Sequence, residues 1–198
     1  MRCPNCKTPV GEFQAVCDQC GFHLGVADDW FGSLPPPGPG LVDAAEVLTP
    51  SRRRRIEQGL DDLGRRFPQV RVHALTLKLP AKLDLANSVF WLFNRGGFCA
   101  EDQRGGRNHD VLLVLDAAND RAACMVGYGL EPFLPDGALD QLATSLQRRL
   151  RKQKAAGALE AGIGDLEDLL EGAHRRTIRG FGLAGREWTG PDTTPPAA

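Results

Sequence analysis

The order of hydrophobic periods along this 198-residue chain predicts an α/β fold, a three-layer α/β/α sandwich with a small cysteine-bound module at its N-terminus. Three observations carry that expectation. Apolar residues recur first at helical spacing, then in alternation, then at helical spacing again, in the order α-β-α-β-β-α-α. The run "VLLVL" at 111–115 is apolar on both faces, as a central strand covered from two sides would be. Four of the six cysteines fall in the first 20 residues as two CxxC pairs, apart from any stretch that could build a core. A strand buried by helices on both faces is what a helix–sheet–helix arrangement requires.

The first helix of the sandwich starts at Thr49, a suitable N-cap, with Pro50 in the first turn; Ile56, Leu60, Leu63 and Phe67 mark its apolar face. Asp61 with Arg65 and Asp62 with Arg66 are acid-first pairs at the favoured spacing. "QVRVHALTL" (69–77) alternates and is rich in β-branched residues, so it predicts a strand. Leu83, Ala86, Phe90 and Phe93 predict a helix ending near Gly96–Gly97. "VLLVLD" (111–116) turns through "AANDR" into "AACMVGY", an antiparallel hairpin. Leu139, Leu142, Leu146 and Leu150 mark one further helix, and Leu159, Ile163, Leu166 and Leu170 another. The basic run at 52–55 spreads around a full helical turn, and Arg148, Arg149, Arg151, Lys152 and Lys154 sit at a helix C-terminus, where cations complement the macrodipole. Neither makes a phosphate-tracking face.

Composition divides the chain into residues 1–25, a four-cysteine module; 26–40, a Pro/Gly-rich linker; 41–180, one α/β domain; and 181–198, a polar tail expected to be disordered. Within the linker, Trp30 and Phe31 are too apolar for a solvated spacer and are expected to dock on a domain. A net charge of −1 gives no global pull toward nucleic acid or an acidic membrane surface. No apolar run approaches the ~20 residues that span a bilayer. The opening "MRCPNC" has no apolar signal region, and the cysteine usage suits a reducing compartment, so a cytoplasmic location is expected.

Cys3-Pro-Asn-Cys6 and Cys17-Asp-Gln-Cys20 are two knuckles ten residues apart, the spacing at which four thiolates complete a tetrahedral site for Zn2+. So short a segment buries too little apolar surface to fold alone, and metal binding would supply its folding free energy. Gly21 suits the backbone just past the second knuckle. His23 is a further donor that four thiolates make unnecessary. The segment resembles the short zinc ribbons at the N-termini of many bacterial proteins. Its basic residues in 1–25 are only Arg2 and Lys7, opposed by Glu12 and Asp18, so protein docking or simple structural capping is expected of it and nucleic-acid binding is not.

"NHDVLLVLDAANDRAACMVGYGLEPFLPD" (108–136) resembles the signature of the TPM domain family. "VDAAEVLTPSRRRRIEQGLDDL" (42–63) is similar to the family's opening aspartate-containing loop and first helix, and "LEAGIGDLEDLL" (159–170) to its closing helix. The resemblance covers about residues 41–172 and implies the α/β/α sandwich that the periodicity predicts independently. Members occur in bacterial envelopes and in the thylakoid lumen, where one is linked to photosystem II repair. The resemblance implies a binding or assembly and maintenance factor with a divalent-cation site; acid phosphatase activity, assigned to a plant member, is the alternative. Members usually carry Asp-Asn-Gly where this chain reads Asn108-His109-Asp110.

Outside the cysteines, five carboxylates are candidates. Asp116, at the end of the central strand, is the weak candidate for a phosphatase nucleophile, although no helix N-terminus follows it to bind phosphate. Glu131 and Asp136 share the stiff segment "MVGYGLEPFLPD" (125–136); with Asp110 beside it, and Asp43 through the family-like opening loop, they could hold Ca2+ or Mg2+. The same segment also reads as a plain strand-to-helix corner. There Gly127 and Gly129 supply unusual backbone conformations, Tyr128 packs on the sheet end and Asp136 caps the next helix. Arg121 is expected either to pair with a buried carboxylate or to remain a solvated edge residue. Cys124 reads as a core residue and Cys99 as a free thiol. The expected function is that of a factor binding a protein partner of unknown identity, with metal-assisted acid phosphatase as the alternative.

Overall fold

Four strands, β1 (Leu41–Asp43), β2 (Arg71–Leu77), β3 (Asp110–Asp116) and β4 (Arg121–Val126), form one sheet in the order β1-β2-β3-β4. The computed structural model describes residues 2–3, 5–11, 14–32, 34, 40–95 and 108–180. β1, β2 and β3 run parallel, with Leu41 opposite Ala74 and Arg71 opposite Asp110; β4 returns antiparallel, with Val126 opposite Val111. Every residue of β3 is buried. Its Val111, Leu113 and Leu115 enter the core beneath α2 (Pro50–Arg66) and α4 (Ala138–Gly180), while Leu112 and Val114 enter the core beneath α3 (Leu85–Arg95). The chain is thus a three-layer α/β/α sandwich, with the two-faced apolar pattern of β3 as its physical cause.

α2 forms where its N-cap signal lies. The Thr49 hydroxyl accepts from the Arg52 amide, and Ile56, Leu60 and Leu63 are buried against α4 and the sheet. The acid-first pairs expected within α2 do not form as read: Arg65 bonds Asp62, and Arg66 reaches across to Glu167 and Glu171 on α4. A partner on a packed neighbouring helix wins over one on the same exposed face. α4 comprises two helices that meet at Lys154, which sits at φ 63° and ψ 179°. The two arms fold back on each other: the Ser145 hydroxyl donates to Asp165, and Arg149 donates to it as well, at 3.2 Å for the longer of its two bonds. These are the two helices expected from Leu139–Leu150 and Leu159–Leu170.

Two elements escape the periodicity. β1 has three residues, too few to show alternation. α1 (Leu24–Phe31) lies where an extended linker is expected from residue 26 onward. It forms because the His23 ring accepts the Gly25 amide at 3.1 Å as an N-cap, and because Ala27 and Phe31 are buried against α3. Residues 35–39 of the linker, Cys99, the expected helix end at Gly96–Gly97 and the tail 181–198 lie outside the described residues. α3 is also turned in phase. Its sheet-facing side is Leu85, Val89, Leu92 and Phe93, whereas Ala86 is exposed and Phe90 faces the cysteine module. Of the expected stripe Leu83, Ala86, Phe90 and Phe93, Leu83 and Phe93 pack on the sheet-side core, whereas Ala86 and Phe90 lie off it.

Candidate metal centre

Both CxxC segments adopt one backbone design. The Cys3 amide donates to the Thr8 carbonyl at 2.8 Å and the Lys7 amide to the Cys3 carbonyl at 2.9 Å. The second knuckle repeats this, with Cys17 to Phe22 at 3.0 Å and Gly21 to Cys17 at 2.8 Å. In each, the residue after the second cysteine turns left-handed, Lys7 at φ 62° and Gly21 at φ 68°. Glycine is the natural occupant of that position, as expected of Gly21; Lys7 occupies it with a Cβ penalty.

The two hairpins bring Cys3 to 3.7 Å from Cys20 and Cys6 to 3.6 Å from Cys17, sulfur to sulfur, and all four lie within 4.8 Å of one another. A disulfide would require about 2.0 Å. Four thiolates at about 2.3 Å from one tetrahedral ion sit about 3.8 Å apart, so the donor set fits a metal ion. Among the described residues this is the one group of three or more His, Cys, Asp or Glu donors placed to hold a metal. The Thr8 hydroxyl and the Thr8 amide pull the Cys6 thiol down to about 6. At Cys17 the Cys20 amide also favours the thiolate, but burial and the neighbouring Cys6 and Cys20 thiols hold it up at about 11. His23 is not in this set, being occupied as the α1 cap.

A third small core joins the cysteine module to the sandwich. Cys3, Cys17, Phe22, Ala27 and Phe31 are buried together, and Phe22 meets Phe90 with ring centroids 6.0 Å apart while Phe31 meets Trp91 at 6.4 Å. Phe31 therefore docks as expected, whereas Trp30 remains 46% exposed. Asp28 fastens the contact, accepting from the Trp91 indole at 2.6 Å and from Arg95 at 2.8 Å. The Arg95 guanidinium and then the Trp91 indole hold the Asp28 carboxyl below its ordinary range. The clustering of Phe22, Trp30 and Phe31 in a short segment, with Phe90 and Trp91 on α3, is the sequence signal for this contact.

The five candidate carboxylates do not assemble. Asp116 is fully buried and saturated: it accepts from the Leu79 amide at 3.1 Å, the Ala118 amide at 3.2 Å, the Asn119 side chain at 2.8 Å and Arg121 at 2.7 and 2.9 Å. Arg121 thus takes the paired alternative, and also donates to the Leu83 carbonyl at 2.9 Å. Asp43 accepts from the Val47 amide at 3.2 Å, the Leu48 amide at 2.9 Å and the Thr76 hydroxyl. Asp110 is held by Arg71 in a two-pronged pair at 2.7 and 3.0 Å, with His73 at 3.5 Å. Asp43 lies opposite Thr76, and Asp110 lies opposite Arg71. Those positions are five residue steps apart along β2, about 16 Å at strand rise. Four carboxylates expected at one cation are therefore split between the two ends of the sheet. Glu131 and Asp136 lie at the Asp110 end, exposed and without an ion pair among the described residues.

"MVGYGLEPFLPD" is a corner whose glycines serve close approach. Gly127 donates to the Asp110 carbonyl and Gly129 to the Asn108 carbonyl, each at 2.9 Å, which prolongs the β3–β4 ladder. Neither has a positive φ. A Cβ at Gly127 would overlap the Asn108 side chain and carbonyl, and one at Gly129 would lie 2.6 Å from the His109 ring. The expected unusual conformations are replaced by this crowding. Tyr128 stays 50% exposed, and Gly137, at φ 72°, stands at the entry to α4. No side-chain hydrogen bond of Asp136 caps that helix among the described residues. Cys124 packs against the α2/α4 core, and burial, then Asp140, pushes its thiol up to about 12.

Beyond this corner a groove of about 650 Å³ runs along β4 between α3 and α4, and Arg2 and Lys7 of the cysteine module stand on its rim. Its floor is the outer edge of β4, an arrangement that no sequence period announces.

No curated protein matches the chain. Solved structures do. The N-terminal domain of a P. gingivalis protein is 24% identical, with a TM-score of 0.56 over 67% of this chain and 82% of that one. The N-terminal domain of cg2496 from Corynebacterium glutamicum is 15% identical, with a TM-score of 0.51 over 69% and 84%. BA42 from Bizionia argentinensis is 16% identical, with a TM-score of 0.51 over 65% and 84%. At these identities they show the shared fold. The TPM domain model matches residues 41–169, well over half the chain, and these are the residues that form the sheet, α2, α3 and most of α4. The chain therefore belongs to the TPM domain family, and carries in front of that domain four cysteines placed to hold a metal ion.

Proposed function

We propose that this protein is a zinc-holding TPM-domain factor that binds a partner protein in an assembly or maintenance role in the cytoplasm. The observation that carries the reading is the groove beside β4, which the metal module and the TPM domain line together. A structural ion folds the module, the aromatic contact with α3 fixes its position, and the two parts present one composite surface. The phosphatase alternative is weakened by Asp116, whose oxygens are taken up by five donors and whose strand end supplies no phosphate-binding helix. Zinc fits the four-thiolate tetrahedron better than a hard cation such as Ca2+, which takes oxygen ligands.

Three measurements on the purified full chain test the reading. Elemental analysis should give one zinc per molecule, lost when Cys17→Ser and Cys20→Ser are combined. Affinity capture should recover a partner whose purified form rebinds the metal-loaded chain saturably, and binds the double cysteine variant more weakly. Hydrolysis of generic phosphomonoesters with Mg2+ or Ca2+ should stay at background. Robust turnover, lost in an Asp116→Asn protein shown to be folded, would replace the binding reading with the enzymatic one.

A further inference from the structure

We propose that β4 accepts an added strand: an extended segment of a partner protein pairs with its open edge, in the groove between α3 and α4. This rests on the partner-binding reading above and names its site and the chemistry of its ligand.

The ladder geometry supplies the hydrogen bonds. The Gly127 amide donates inward to Asp110, across the pair that continues the β3–β4 register. In an antiparallel ladder, inward and outward residues alternate. Arg121, Ala123 and Met125 therefore turn their N–H and C=O groups toward β3, and Ala122, Cys124 and Val126 turn theirs away. No backbone partner for those three residues' outer N–H and C=O groups occurs among the described residues. Edge strands are normally protected by proline, inward charges or bulges. Residues 121–126 contain no proline, and their one charge, Arg121, is drawn into the pair with Asp116. Protection comes instead from the flanking helices. They leave a groove of about 650 Å³ whose lining includes Ala122, Cys124 and Val126 of β4.

The walls specify the occupant. Side chains of an added strand alternate between the α3 wall and the α4 wall. The α3 wall offers Val89, Phe90 and Phe93, with the positive charges of Arg2 and Lys7 above them. The α4 wall offers Leu139 and Ala143, with the negative charge of Asp140, and Glu131 lines the groove from the connection between β4 and α4. The complementary segment is apolar, free of proline, acidic on the face turned to the metal module and basic on the face turned to α4. Cross-strand opposite-charge pairs favour this parity and disfavour the reverse.

The test uses the zinc-loaded full chain and fluorescent octapeptides. One set is Val/Leu-rich with one Glu at an odd and one Lys at an even position, and a second set exchanges the two charges. Each peptide is also made with N-methyl groups at odd or at even positions. Anisotropy should show saturable binding of both sets, because a one-residue shift of register restores the charge match in the exchanged set. N-methylation on one parity should weaken binding roughly ten-fold, the loss of one or two hydrogen bonds, and on the other parity much less, and exchanging the charges should exchange the sensitive parity. The binding peptide should slow amide exchange at Ala122, Cys124 and Val126, leaving Ala123 and Met125 unchanged. Ala86→Arg and Ala143→Arg, one on each wall, should each abolish binding with zinc content unaltered. Equal effects of the two methyl parities, amides at 122, 124 and 126 already slow in the free protein, or no binding by any peptide would overturn the edge site. The partner reading fails separately, on its own capture experiment: a reconstituted partner that binds both arginine variants normally would retain that reading while removing this site.

Discussion

Glycine at two places in this chain answers two different physical demands. Gly21 has open space around it and a φ of 68°, so what an alanine there would meet is backbone strain. Left-handed backbone costs an L-residue about 1–2 kcal/mol. Gly21→Ala should therefore weaken zinc binding by roughly 5- to 30-fold in a chelator competition, leaving the sandwich's melting unchanged. Gly127 has ordinary backbone but no room, because Asn108 occupies the space a Cβ would fill. Gly127→Ala should destabilise the sandwich by about 3 kcal/mol in denaturant titration while zinc affinity is retained. The same scale governs the thiols. Cys17 is held near 11, so at neutral pH metal must displace its proton, and calorimetry in buffers of different ionisation enthalpy should register proton release on zinc uptake. Cys124, pushed to about 12, should remain unmodified by iodoacetamide at neutral pH unless the protein unfolds.

At the scale of elements, the arms of α4 approach so closely at Gly162 that a Cβ there would overlap Leu146, which is fully buried. Gly162→Ala should cost about 1–3 kcal/mol, because Leu146 has no vacant space to move into. Gly164, with open space around it, should tolerate alanine and gain a little from helix propensity. Asp116 ties the β3–β4 turn to the segment after β2 through Leu79, Asn119 and Arg121. Its replacement by asparagine leaves the Arg121 guanidinium without its carboxylate and should lower stability by about 3 kcal/mol. The helices of the sandwich were legible because each carries a stripe of leucines; the phase of α3 was not. That helix is apolar on two sides, one for the sheet and one for the cysteine module, and a single period cannot say which stripe meets which.

Across the whole molecule, the cysteine module is held to the sandwich by rings and by one carboxylate. Asp28 is stabilised as its ion by Arg95 and Trp91, so its folded-state value lies below its unfolded one. Its contribution is complete above the unfolded value of ~3.9 and is lost as pH falls further, through the depressed folded value. At neutral pH Asp28→Asn removes the ionic part of the contact. Hydrogen exchange in residues 24–31 should then rise, with the amides of β3 still protected and zinc still bound. No helix among the described residues is long and apolar enough to cross a membrane.

Read alone, the sequence determined the four-cysteine cluster, the central strand and the α/β class, because each depends on local spacing. Two residues between cysteines make a knuckle, and an unbroken apolar run must be covered on both sides. Tertiary structure alone decided what the carboxylates do. Asp43, Asp110 and Asp116 look alike as aspartates near strand ends, yet each is committed by groups distant in the chain: Thr76, Arg71 and Leu79. It also decided that residues 24–31 are a helix, since Phe31 gains more by burial against Trp91 than an extended segment would gain from solvation. The outer edge of β4, unpaired among the described residues, is the clearest instance. A strand's outer hydrogen bonds are missing only when the sheet ends there, and where a sheet ends is set by the pairing of all its strands together.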